Sequence, residues 1–337
     1  MAGKKILNAK QINLKEITSL LVIAPDNFED FLLATPAISA LKEALPPEGK
    51  ITAIVSDKLK KIALQTSGID RIICLDFLNF FPSLFNLFTG GYEILVNFAS
   101  DSFSSIVACA VCPAKAKVAY ALKKETKIYN HFHNLKLQTI DAPQHRIVKY
   151  LNLVRFIGAN TYDFMPKIIL TDEDKKYAAD FMKKNEITQK DVIIGIHPTL
   201  LKERKRWSIN KYSQLVQNVV EKFNARVIVY YHEDEKKRLE EFMHVIRNNA
   251  LIPDTIDYLK LAALSEYFTC FICNETDFMH LLSPFTNLIV IWADSDPEIN
   301  KPAGSNHEIL QASDGSPDSV PVSRVTDAIK KHLHVHS

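Results

Sequence analysis

SLLVIAPDNFEDFLLATPAISALKEALPP, residues 19–47, sets how the rest of the chain reads. Ser19 to Pro25 is a continuous apolar run, the pattern of a strand buried on both faces. Beyond it, Ala34, Ala37, Ile38, Leu41 and Leu45 recur at helical spacing, and Pro46-Pro47 stops the helix. A doubly buried strand leading directly into a helix opens a parallel β/α layer.

The same alternation runs outward from it. ITAIVS (51–56), IDRIICL (69–75), YEILVNF (92–98) and KAKVAY (115–120) continue the strand series, with a helix near Leu59 to Thr66. HRIVKYLNLVRFIG (145–158) is amphipathic and closes the first half. TDEDKKYAADFMKKN (171–185) begins the second half with an acidic helix start. DVIIGIHPT (191–199), ARVIVYY (225–231), FTCFIC (268–273) and NLIVIWA (287–293) read as strands. A helix from about residue 209 buries Tyr212, Leu215, Val216, Val219, Val220 and Phe223, with Ser208 as its N-cap, and a last helix runs from about Val320 to His332. The prediction is an α/β protein of two doubly wound domains, 1–162 and 163–337, with ligands at the carboxyl ends of the strands and in the cleft between domains.

Composition narrows the function. Of 337 residues 47% are hydrophobic and 24% charged, which excludes disorder and fibrous classes. A net charge of +2 gives no global drive towards nucleic acid. No uncharged apolar run is long enough to span a bilayer, and the N-terminal residues lack an export-type apolar core, so a cytoplasmic protein is expected. The 9 glycines cannot assemble a G-x-G-x-x-G or a P-loop, which removes Rossmann dehydrogenases and P-loop NTPases. No G-x-S-x-G supports a hydrolase on such a sheet. Cys109/Cys112 and Cys270/Cys273 form C-x-x-C pairs, but residues three apart on a strand face opposite sides, and buried thiols pack as small hydrophobes.

LLVIAPDNFEDFLLATPAISALKEALP (20–46) resembles the opening of glycosyltransferase family nine, the ADP-heptose:lipopolysaccharide heptosyltransferases. The resemblance continues through YEILVNFASDSFSSIVACAVCPAKAKVAY (92–120), the helix from His145, GIHPT and KRWSINKYSQLV (195–216), and NETDFMHLLSPFTNLIVIWADSDPEINKP (274–302). It implies a GT-B-like fold, two Rossmann-like domains facing a cleft, with acceptor on the first and nucleotide sugar on the second. It implies an inverting, metal-independent transfer from an ADP-sugar, heptose among the candidates, to a lipopolysaccharide or other cell-surface glycan, with no cofactor.

Asp30 matches the family's proposed catalytic base; the same position also suits a helix N-cap or first-turn acid. Asp26 and Glu29 are nearby carboxylates that could substitute for it, or could raise the pKa of Asp30 by like-charge repulsion. In HPTLLKERKRW (197–207), a loop leading into a helix, Lys205 matches a phosphate-binding lysine and Thr199 a phosphate-contacting hydroxyl; Lys202 and Arg204 read as solvated. Glu275, Thr276 and His280, in ETDFMH, match a motif beside the diphosphate and sugar. Glu235 matches a carboxylate on the nucleotide ribose; without the match it reads as a solvated helix start.

Departures cluster at positions where the family brings bare backbone near ligand. Glu29 and Asp277 replace glycines, Ala24-Pro25 replace Arg-x, Tyr231-His232 replace a Gly-rich turn, and Ala293 replaces a glycine. Altered specificity explains this, and so does a non-catalytic binding or scaffold protein. Asp294-Ser295-Asp296 reads as a polar turn rather than a metal chelate, and the terminal HLHVHS as a frayed end. FLNFFPSLFNLFTGGY (77–92) holds five Phe and no charge. Core packing explains it, as does an apolar patch docking on a membrane that carries a lipid-linked acceptor.

Overall fold

The computed structural model describes residues 8–75, 80–99, 103–121, 131–138, 142–247 and 249–333. The chain forms two compact units, Met1–Ile169 and Leu170–Ser337. The division lies beyond 162/163 because the segment after Gly158 returns to the first unit. Ser67 N donates to Lys167 O, Ile169 N to Gln65 O, and Lys167 N to Thr35 Oγ1.

The first unit is a six-stranded parallel sheet in the order β3-β2-β1-β4-β5-β6. The strands are β1 (Ser19–Ile23), β2 (Lys50–Val55), β3 (Arg71–Cys74), β4 (Ile94–Asn97), β5 (Ala116–Tyr120) and β6 (Leu135–Leu137). Leu21 pairs with Thr52 on one side and Leu95 on the other, which places the apolar run of β1 in the middle of the sheet. Helix α1 (Phe28–Ala44) is buried continuously from Phe31 to Leu41, and α5 (Arg146–Arg155) packs along it. Between them in sequence come α2 (Lys60–Leu64), α3 (Phe80–Thr89) and α4 (Phe103–Val111). Pro36 removes the N–H that would reach Leu32 O, and the Thr35 hydroxyl donates to that carbonyl at 2.7 Å instead. That substitution lets Thr-Pro sit inside a buried helix.

The second unit is a five-stranded parallel sheet in the order β11-β10-β9-β7-β8. Its strands are β7 (Ile193–Ile196), β8 (Arg226–Val229), β9 (Cys270–Asn274), β10 (Leu288–Trp292) and β11 (Glu308–Gln311). Its helices are α6 (Asp172–Lys184), α7 (Ile209–Phe223), α8 (Lys236–Val245), α9 (Tyr258–Ser265), α10 (Asp277–Leu282), α11 (Pro297–Asn300) and α12 (Val322–Leu333). One face of the sheet packs on α7 and α12 through Trp207, Tyr212, Leu215, Val216, Val325 and Ile329. Thr171 and Asp174 form a reciprocal cap on α6. Ser208 occupies the N-cap of α7, but its hydroxyl makes no cap; its backbone N–H donates to Asp318 at 2.9 Å.

Strand order reverses direction beside β1 in the first sheet and beside β7 in the second. Ligands of doubly wound sheets bind at such switch points, outside the carboxyl ends of the strands. Asp30, in the first turn of α1, follows β1, the loop of His197 to Trp207 follows β7, and Glu275 and Thr276 follow β9.

Two edge strands, β6 and β11, were not expected from periodicity. Of the motifs set aside above, Cys270 and Cys273 lie on β9 as predicted, and all five cysteines are free. Burial pushes the Cys109 and Cys270 thiols up to about 12, where no thiolate forms at neutral pH. Asp296 caps α11 by accepting from Glu298 N at 2.9 Å, so the D-x-D is a turn. Residues 77–79 of the Phe-rich stretch and 334–337 of the terminal His-containing stretch lie outside the described residues.

Candidate active site

In the first unit the site grows from the N-terminus of α1. Asn27 caps the helix by accepting from Asp30 N at 2.8 Å, and its amide donates back to Asp30 Oδ2 at 2.7 Å. Asp30 Oδ1 accepts from Arg146 Nη2 and from Tyr150 Oη, both at 2.7 Å. The second guanidinium arm, Nη1, lies 2.7 Å from Glu29 Oε1. Arg146 and Tyr150 sit four apart on α5, one turn above each other, and the edge of Phe98 braces the Tyr150 ring. Burial pushes the Asp30 carboxyl up, but hydrogen bonds from Asn27 and Tyr150 and the Arg146 charge outweigh it and hold it below the usual carboxylate range. This corrects the expected rise. Glu29 does not act on Asp30 as an unscreened neighbour, because Arg146 lies against both acids.

The side chain of Asp30 is 26% exposed and accepts three hydrogen bonds of the roughly four a carboxylate can take. It is ionised, oriented and able to accept one further proton donor. Sequence reasoning missed Arg146, Tyr150 and Asn27; the only local signal was the polar pair at i and i+4 on an amphipathic helix.

In the second unit Glu235 is 3% exposed, at the turn after β8. Its Oε2 takes His197 Nε2 at 2.7 Å, Thr199 Oγ1 at 2.8 Å and His232 N at 3.0 Å. Burial pushes its pKa up, yet the hydrogen bond and charge of His197, with the His232 N–H and charge, bring it down to about 2. The solvated-helix reading of Glu235 is therefore excluded. The ribose contact implied by the resemblance would need this carboxylate turned outward, and here it faces Thr199 and His197.

Lys205 Nζ lies 2.7 Å from Glu275 Oε2, which also accepts from Ser295 Oγ at 3.0 Å. Lys202 and Arg204 are exposed, as expected. Thr276 stands at the N-cap of α10 without a side-chain cap, and His280 is fully buried on that helix. The structure thus joins Lys205 to Glu275 and Thr199 to Glu235, and gives no direct bond between these two pairs.

Asp277 turns to His232: its Oδ1 lies 3.1 Å from His232 Nε2. His232 Nδ1 meets Tyr258 Oη at 3.0 Å, and the ring stacks on Phe278 with centroids 4.5 Å apart. Two of the departures noted in the sequence are therefore one contact. His197, His232 and Glu235 bring potential metal-ligating atoms within 4.8 Å of one another. Both nitrogens of His232 and the Nε2 of His197 are already engaged, so the cluster is a hydrogen-bonded network. A concavity of about 760 Å³ opens at the other end of the sheet, before β7 and β9, and includes none of these residues.

This network makes stability pH-dependent in two directions. Burial lowers the His232 pKa, but Asp277, Glu235 and Asp234 raise it further, to a net value above 6.5. Its contribution is complete below about pH 6.5 and is lost as pH rises through the raised folded value. Glu235, depressed from 4.5 to about 2, contributes fully above about pH 4.5 and loses that contribution as pH falls towards 2. The expected thermal midpoint forms a plateau between those limits. In Asp277→Asn the alkaline fall shrinks while the acid fall remains, as scanning fluorimetry from pH 3 to 9 would record.

Two parallel sheets with interleaved helices, each with a polar cluster at its switch point, are the α/β architecture of GT-B proteins. The chain belongs to glycosyltransferase family 9 (heptosyltransferase), whose model matches residues 86–327. It is similar to a family 9 glycosyltransferase from Veillonella parvula, with 16% identity, a TM-score of 0.82, and 96% of this chain and 99% of that one covered. The ADP-heptose lipopolysaccharide heptosyltransferase II of E. coli matches at 14% identity and a TM-score of 0.78, covering 94% and 99%. The E. coli heptosyltransferase WaaC with ADP matches at 13% identity and 0.69, covering 94% and 98%. No curated protein matches the chain by sequence.

Proposed function

We propose that this glycosyltransferase moves a sugar, heptose foremost, from an ADP-sugar to a lipopolysaccharide or other cell-surface glycan acceptor, inverting the anomeric carbon without a metal ion or cofactor. The observation that carries this reading is the ionised, triply hydrogen-bonded Asp30 at the β1 switch point. It removes the acceptor hydroxyl proton as that oxygen attacks the anomeric carbon and the bond to the diphosphate breaks. Lys205 and the Thr276 hydroxyl meet the charge that develops on the departing ADP, whereas the Thr199 hydroxyl, the family's phosphate contact by resemblance, donates to Glu235 here. Glu275 pairs with Lys205, Glu235 orients Thr199 and His197, and His280 lines the inner side of α10. The WaaC structure carries ADP by its own description, which supports an adenine nucleotide donor here.

Release of ADP from ADP-heptose tests the reading, with and without membrane extract carrying glycolipid acceptors. Extract-dependent release is expected. Failure to release ADP from any ADP-sugar with any such extract contradicts it and favours a scaffold that kept the fold and lost transfer.

The acceptor side includes a lipid surface in this proposal, with the enzyme working peripherally at the cytoplasmic face of the membrane. No described helix is long and apolar enough to cross a bilayer. However, Phe81, Phe85 and Phe88 on α3 are 80%, 68% and 63% exposed at i, i+4 and i+7, while Leu87 is buried behind them. Three exposed aromatic side chains on one helix face, with no charge among residues 80–89, suit shallow insertion at a headgroup boundary. Phe81→Asp/Phe85→Asp is expected to lose sedimentation with anionic liposomes; equal binding by wild type and variant would rule the surface out.

A further inference from the structure

Thr276 stands between two acids that both hold a cation. Glu275 lies 2.7 Å from Lys205 Nζ, and Asp277 lies 3.1 Å from His232 Nε2. Neither pair is fully solvated: Glu275 is 9% exposed and Asp277 26%. Each is fixed by a further contact, Ser295 Oγ on Glu275 and Tyr258 Oη on His232. The charges nearest Thr276 are thus two carboxylates, each against one positive partner.

An incoming diphosphate meets this arrangement as a competitor. We infer that Glu275 and Asp277 are built-in anions, which occupy Lys205 and His232 and must be displaced from them when a nucleoside diphosphate binds. The inference rests on the nucleotide-sugar reading above and adds His232 to its diphosphate contacts. It also gives the acids at 275 and 277 a purpose: a lone phosphate or a stray carboxylate gains little by exchanging one anion for another. A diphosphate with several oxygens can engage both cations at once.

The consequence is opposite to that of acids that merely steer the cations. If they compete, neutralising either one strengthens diphosphate binding; if they steer, it weakens binding. Calorimetric titration of the full chain with ADP compares wild type, Glu275→Gln, Asp277→Asn and Asp277→Gly. Asp180→Asn, at an exposed residue of α6 far along the chain from these pairs, controls for net charge alone. The expected result is a Kd roughly tenfold lower in the three site variants, unchanged in the control, with a gain that shrinks as salt rises. A Kd unchanged or higher in the site variants, titrated at a temperature where each is folded, overturns the inference while the donor reading stands. ADP binding to none of the five proteins removes the donor reading and this inference with it.

Discussion

Asp30→Asn is expected to lower the turnover of sugar transfer by about 10²- to 10⁴-fold while leaving ADP affinity unchanged. The amide keeps the shape of the side chain and can still accept from Tyr150 and Arg146, but it cannot take up the acceptor proton. In the wild type the carboxylate is ionised across the neutral range, because burial is outweighed by Asn27, Tyr150 and Arg146. The acid limb of turnover therefore falls below the usual carboxylate range. Tyr150→Phe deletes one of the two donors on Oδ1, so that limb moves to higher pH. A merely structural tyrosine would change the amount of folded enzyme without moving the limb. Undiminished turnover in Asp30→Asn would dismiss the base and leave the fold standing.

The second large effect is on stability. Glu235→Ala strips the acceptor from His197, Thr199 and the His232 N–H at once. Removing one partner of a buried, hydrogen-bonded charge costs about 3–5 kcal/mol, since the remaining groups lose water and gain nothing. Glu235→Gln keeps one carbonyl oxygen for those donors and is expected to cost less, about 1–3 kcal/mol. Denaturant titration of both variants against wild type measures the difference. An alanine variant within 1 kcal/mol of wild type would mean that solvent already satisfies these donors.

How much of this was legible in the sequence depends on distance along the chain. β1 and α1 were readable because a doubly buried strand must be apolar throughout and its helix must be stopped, here by Pro46-Pro47. The edge strands β6 and β11 were not. LKL and EILQ are too short for a period, and an edge strand has one solvated side, so its pattern dissolves into the flanking loops. The same rule governs the site. Asp30, Lys205 and Thr276 were singled out by the resemblance, and each follows a strand, at the end where such sheets bind ligands.

Their partners were not found. Arg146 and Tyr150 lie 116 and 120 residues from Asp30, and only packing of α5 on α1 brings them together. His232 looked like a lost glycine turn and Asp277 like a misplaced charge. Their 3.1 Å contact joins β8's loop to α10, a pairing set by the order β10-β9-β7-β8 and by no local motif. Glu235 was read as a ribose carboxylate from the resemblance, and without it as a solvated helix start in the charged run YYHEDEKK. The fold instead directs that one carboxylate inward.

The measurement that bears most directly on the nucleotide-sugar account is equilibrium binding of ADP to the intact chain and to Lys205→Ala. Saturable binding by the wild type, weakened at least tenfold in Lys205→Ala at low salt, is the predicted result. Absence of saturation at millimolar ADP, or equal affinity in both proteins, would contradict it.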